Sequence, residues 1–89
     1  MIVTKGDFTI AWDHTEPTVL FAVAGDSTII ATDLVEKEFD MSFSDGVHNI
    51  EVWAYWDSGD QTKWSSPASL EVEIRTVAPD PITNLRVVA

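Results

Sequence analysis

Apolar and polar residues alternate with a period of two along most of the chain. Phe8, Ile10 and Trp12 alternate with Thr9, Ala11 and Asp13, and Phe39, Met41 and Phe43 repeat the pattern. His48, Ile50, Val52 and Ala54 follow, then Leu70, Val72 and Ile74. A half-buried β-strand requires this alternation, because successive side chains point to opposite faces. Residues 19–24 are apolar on both parities, as in a strand covered on both faces, and residues 27–32 are a short β-branched run. Turn signals rich in Gly, Pro and Asp separate the runs at 5–7, 14–17, 25–26, 44–46 and 57–60. Only residues 33–39 carry helical spacing, through Leu34, Val35 and Glu38, and a single turn or a loop fits them equally. Six or seven short strands predict an all-β, antiparallel β-sandwich.

The pattern changes after Thr76. Pro79 and Pro81 remove backbone donors and favour a stiff extended segment, and Ile82, Leu85 and Val87 then restore a strand-like stretch. The chain therefore divides into a sandwich over 1–76 and a Pro-containing linker with a strand-like arm over 77–89.

A length of 89 residues allows one domain, and a hydrophobic fraction of 45% allows a core. With no cysteine, disulfides and thiolate zinc sites are excluded. Five Lys and Arg against 15 Asp and Glu give a net charge of −10, which disfavours nucleic acid and anionic membranes as partners. With Met1 as the natural start, no signal peptide is present and synthesis is cytoplasmic without export.

Candidate chemistry is sparse. His14 and His48 are the only imidazole bases. His48 lies on the inward parity of its strand, which fits a packed ring bonded to backbone, and His14 beside Asp13 fits a solvated loop. Asp57 and Asp60 place carboxylates three apart in a hairpin loop, without the spacing of a helix-loop-helix calcium site. The expectation is therefore no catalysis, no cofactor and no specific metal, with simple turn chemistry at 57–60.

The aromatic residues carry more information. With Ile50, Val52 and Ala54 inward, Glu51, Trp53 and Tyr55 face outward on one strand. Three readings stay open for Trp53 and Tyr55. Neighbouring strands and the stems of Lys63 or Arg75 shield them, another protein subunit covers them, or they stack on sugar rings. Trp12 is expected in the core with Ile10, Ile50, Val52 and Val72, and Trp56 and Trp64 are expected to clamp the base of the hairpin loop.

Residues 43–67, FSDGVHNIEVWAYWDSGDQTKWSSP, resemble the second half of fibronectin type III and bacterial immunoglobulin-like modules. Residues 8–12 are similar to the early strand of those modules, which ends in a buried Trp. His48 stands where fibronectin modules usually have Tyr, and bacterial immunoglobulin-like repeats often have His there. Residues 79–87, PDPITNLRV, resemble the opening of a following module. The resemblance implies an immunoglobulin-like, fibronectin type III-like sandwich that is not an enzyme and acts through protein contacts. Glu51, Trp53, Tyr55, Ile82, Leu85 and Val87 are the expected partner-binding residues, with the arm adding as a strand to a sheet edge of another subunit. Other protein subunits are the expected partners, in a homo-oligomer or a larger assembly, and a cell-surface glycan is an alternative. The setting this favours is a small virion protein of a tailed bacteriophage. The alternatives are a module of a bacterial adhesin at the cell surface, or a carbohydrate-binding accessory module of a secreted glycoside hydrolase.

Overall fold

The computed structural model describes residues 1–58 and 63–88. Seven strands form in chain order: β1 (Ile2–Val3), β2 (Asp7–Ala11), β3 (Val19–Gly25), β4 (Thr28–Leu34), β5 (Glu38–Ser42), β6 (Gly46–Trp56) and β7 (Ala68–Ile74). They build a five-stranded sheet in the order β1-β7-β6-β3-β4 and a two-stranded sheet, β2-β5. The all-β sandwich expected from the alternation is the observed architecture.

β3 is the strand apolar on both parities, and it lies between β6 and β4. Phe21, Ala22, Val23, Ala24 and Gly25 are all buried, as the doubled apolar pattern requires. Between the sheets, Ile10, Val23, Met41, Ile50, Val72 and Ile74 form the core, drawn from β2, β3, β5, β6 and β7. Phe43 closes one end of that core. Its ring stacks on His48 at 4.3 Å and reaches over Gly25, where an added Cβ would stand 2.7 Å from the Phe43 ring. Only glycine leaves that space.

One expectation is corrected, and one left open is decided. The sandwich is not wholly antiparallel, because β1 runs parallel to β7, pairing Ile2 with Glu73 and Val3 with Ile74. Residues 33–39 are not helical: they hold the end of β4, a short bend and the start of β5. The β-branched run before them propagates as strand, and pairing with β3 outweighs a helical spacing too short to nucleate.

Beyond β7 the chain leaves the sandwich. Thr76 is tied down, its N–H and Oγ1 both donating to the Asp45 carboxylate, the latter at 2.6 Å. From Val77 to Val88 there is no strand, and Ile82, Leu85, Val87 and Val88 are each more than four-fifths exposed. The radius of gyration is 18.4 Å and the long dimension 68 Å. A compact chain of this length has a radius of about 12 Å, so the arm projects well away from the body. It is extended but unpaired, and Asn84 at φ 55° interrupts any strand geometry.

Candidate functional site

β6 is the longest strand, and its two faces serve different purposes. Ile50 and Val52 turn toward the core, while Glu51, Trp53 and Tyr55 lie on the outer face of the five-stranded sheet, on the expected parity. What covers that face was not legible. After the hairpin loop the chain returns and hydrogen-bonds alongside β6, with Ser65 N donating to the Ala54 carbonyl at 2.7 Å and Ala54 N donating to Ser65 Oγ at 2.9 Å. These two bonds lay the Trp64 indole over the outer aromatics. It stacks on Tyr55 with centroids 4.9 Å apart and an 18° tilt, and meets Trp53 at 6.0 Å.

Tyr55 is consequently 4% exposed, which for this residue selects the shielded reading among the three and corrects its place among the expected partner-binding residues. Its hydroxyl is also fully engaged. It donates to the Asp33 carboxylate and accepts from Asp33 N–H at 2.6 Å. Asp33 reaches it from β4 in a left-handed conformation, φ 59°, near an irregularity in the β3–β4 register. Burial first, then the bond to Asp33, pushes the Tyr55 hydroxyl pKa above its usual value. The shield is therefore Trp64. Arg75 instead pairs with Glu73 at 2.8 Å. Trp53 and Glu51 remain half-buried, and Trp56 at the end of β6 is exposed.

The histidines stand apart from any catalytic arrangement. His48 Nδ1 lies 2.7 Å from Asp26 Oδ2, and Nε2 lies 2.8 Å from the Ser44 carbonyl oxygen. Both nitrogens face acceptors, so the doubly protonated ring satisfies both. The bond to Asp26, then that to Ser44, raises the His48 pKa, while the bonds to His48 and from Asn49 N–H lower that of Asp26. This is the packed, backbone-bonded histidine read from the strand parity. His14 is not the solvated loop residue expected: it is half-buried, edge-on to Phe21 at 5.6 Å, and its Nδ1 accepts from Glu16 N–H. Among the described residues no three His, Asp or Glu side chains converge as a metal set. The carboxylate pair of the hairpin loop, read as simple turn chemistry, includes Asp60, which lies outside the described residues.

The other open feature is a groove between the two sheets. Trp12 packs against the core and edge-on to Phe21 at 5.4 Å, but it is half-buried rather than enclosed. It lines an apolar groove with Ile10, Ile50, Val52, Ala68 and Leu70. Leu70 has core parity, yet it is 40% exposed there. Among the described residues β2 pairs only with β5, and β7 is paired on its outer side only where β1 reaches Glu73 and Ile74. Among the described residues, edges of β2 and β7 without a strand partner thus flank this apolar groove.

No family model matches the sequence, and no curated protein matches it. Among solved structures, the fibronectin(III)-like modules of Clostridium thermocellum CbhA match with a TM-score of 0.64 at 20% identity, over 83% of this chain and 87% of that chain. The chain has the fold of a fibronectin(III)-like module.

Proposed function

We propose that this chain is a non-catalytic module that acts through protein contacts made by its C-terminal arm. One observation carries the reading. The outer aromatic face is closed by the chain's own Trp64, while Ile82, Leu85, Val87 and Val88 stand uncovered on an extended segment. Exposed apolar residues in this number favour association, and Leu85 and Val87 share one parity. Tyr55 does not serve as a sugar platform in this reading, because its ring is stacked on the Trp64 indole and its hydroxyl is bonded to Asp33, which leaves Trp53 and Trp56 to be tested. The setting the fold likeness favours is a module within a bacterial secreted or cell-surface protein, since the similar solved modules come from a bacterial protein and not from a virion. Nothing in the geometry favours the virion setting.

Retention on insoluble polysaccharides, measured by depletion from the supernatant, tests this reading. No retention on cellulose, xylan or chitin is expected. Saturable retention that Trp56→Ala or Trp53→Ala removes would replace the protein-contact reading with a sugar-binding one.

A further inference from the structure

We propose that His48 is a pH-sensitive pin. While its ring is doubly protonated it ties the β5–β6 turn, residues 43–45, to the β3–β4 turn at Asp26, and when one proton leaves it lets go of Ser44. The pin sits at the Phe43 end of the sandwich and is independent of the protein-contact reading. Three contacts meet at the ring. Nδ1 lies 2.7 Å from Asp26 Oδ2, Nε2 lies 2.8 Å from the Ser44 carbonyl oxygen, and the Phe43 ring stacks on the imidazole with a 13° tilt. All three favour a cation. An ionised carboxylate and a carbonyl oxygen only accept, so each needs an N–H from the ring, and the face of Phe43 attracts positive charge.

The neutral ring has one N–H for two acceptors, and the geometry decides which of them keeps it. Asp26 is fixed in place. Its carboxylate also accepts from Asn49 N–H at 2.9 Å, and its own N–H donates to the Asn49 carbonyl at 2.8 Å. Asp26 and Ser27 both take positive φ, 50° and 68°, as a tight two-residue hairpin turn requires. The charged carboxylate is also the stronger acceptor. The proton therefore leaves Nε2, whose lone pair then faces the Ser44 oxygen, and a hydrogen bond becomes a repulsion. Ser44 is exposed, so its carbonyl can turn to water instead. On either side of it the turn is held, because Phe43 N–H donates to the Gly6 carbonyl at 3.0 Å and Thr76 Oγ1 donates to the Asp45 carboxylate at 2.6 Å. The release is thus a local rotation of the peptide between Ser44 and Asp45.

Among the described residues, Asp26 is the charged group that faces the ring. The other elements packed around His48 present uncharged groups: the Ser44 carbonyl and the Phe43 ring from the β5–β6 turn, and Val72, its register partner on β7. The neighbouring Asp45 carboxylate is taken up by Thr76. Asp26 is held below its ordinary value of 3.8 by the bond to His48 and then by that from Asn49, so it stays ionised while His48 titrates. The bond to Asp26, then that to Ser44, holds the His48 pKa above 6.5. The pin is closed below the folded value and opens as pH rises through it, on the alkaline side of 6.5.

An NMR titration of the full chain from about pH 5 to about pH 9 tests the proposal. Proton–nitrogen correlations within the ring distinguish Nδ1 from Nε2. Both nitrogens should be protonated on the acid side, and Nε2 alone should lose its proton on the alkaline side. The Ser44 carbonyl-carbon shift should move with the same midpoint as it loses its donor, while the Asn49 N–H keeps its bond to Asp26. Asp26→Asn should bring the midpoint down toward 6.5. His48→Phe keeps a ring against Phe43 but carries no proton, and its Ser44 carbonyl should show no transition. A Ser44 carbonyl that stays put while His48 titrates overturns the proposal, as does loss of the proton from Nδ1 instead of Nε2. A transition that follows His14, that persists in His48→Phe, or whose midpoint is unchanged in Asp26→Asn overturns it as well. A melt of each variant confirms that it is folded, and His48→Gln replaces His48→Phe where the latter is not.

Discussion

The outer face of β6 and the groove beside β7 start from the same sequence signal and end in opposite states. Each presents large apolar side chains at positions that parity assigns with confidence: Trp53 and Tyr55 outward, Trp12 and Leu70 inward. On the outer face the chain supplies its own cover, because Ser65 bonds to Ala54 and sets Trp64 on Tyr55. Over the groove no described strand supplies one, so Leu70 stays 40% exposed although it points toward the core. Parity fixes which way a side chain points. Whether it is buried depends on a second segment, which the described chain supplies over the outer face and does not supply over the groove.

The largest expected effect breaks the closed side of this contrast. Tyr55→Ser removes a buried ring and leaves Asp33 N–H and its carboxylate without their partner. Loss of a buried aromatic costs about 3–5 kcal/mol, a large share of what a domain this small commands. Chemical denaturation should show most of that stability gone. If Tyr55 were the open contact surface suggested by its parity, the midpoint would hardly move.

Removing the cover is the next largest change. Trp64→Ala should cost about 3 kcal/mol and make Trp53 markedly more accessible to acrylamide quenching. Unchanged quenching would mean that Trp64 does not lie over this face.

On the open side the same class of change should be mild. Leu70→Asp exchanges a side chain that already meets water, so the loss in the isolated chain is about 1 kcal/mol, a fall in Tm of about 4–8 °C. A collapse comparable to that of Tyr55→Ser would show the groove to be part of a closed core.

A smaller, pH-dependent effect comes from His48 and Asp26, at the Phe43 end of the core away from both regions. The raised pKa of His48 gives stability that is full below its ordinary value of 6.5 and is lost as pH rises through its folded value. The lowered pKa of Asp26 gives stability that is present above its ordinary value of 3.8 and is lost as pH falls through its folded value. Stability should therefore be greatest between those two ordinary values, and Asp26→Asn should flatten both flanks. The pair is exposed to solvent, so the effect is modest and weakens in salt. A profile identical in Asp26→Asn would assign the dependence to other groups.

How far the sequence could be read follows from the same physics. Strand positions were legible wherever one face is buried, and β3 was legible as a central strand from its doubled apolar pattern. His48 was placed correctly because its parity matched Ile50 and its neighbours include polar acceptors. The Trp64 cover was not legible, since it depends on how the hairpin returns rather than on the alternation of either strand. The Tyr55–Asp33 bond joins β6 to β4 across β3, and no local pattern encodes a contact 22 residues apart. The parallel pairing of β1 was hidden for a related reason: two residues are too few to show a period. Ile82, Leu85 and Val87 read as strand, yet the arm is unpaired in the isolated chain, because strand propensity expresses itself only when an edge is there to receive it.

Amide hydrogen exchange of the full chain tests the contrast between the covered face and the uncovered arm most directly. Peptides covering Trp53, Tyr55 and Trp64 should be protected, while the arm at 82–88 exchanges freely. Fast exchange around Tyr55, or an arm as protected as β6, would contradict the account.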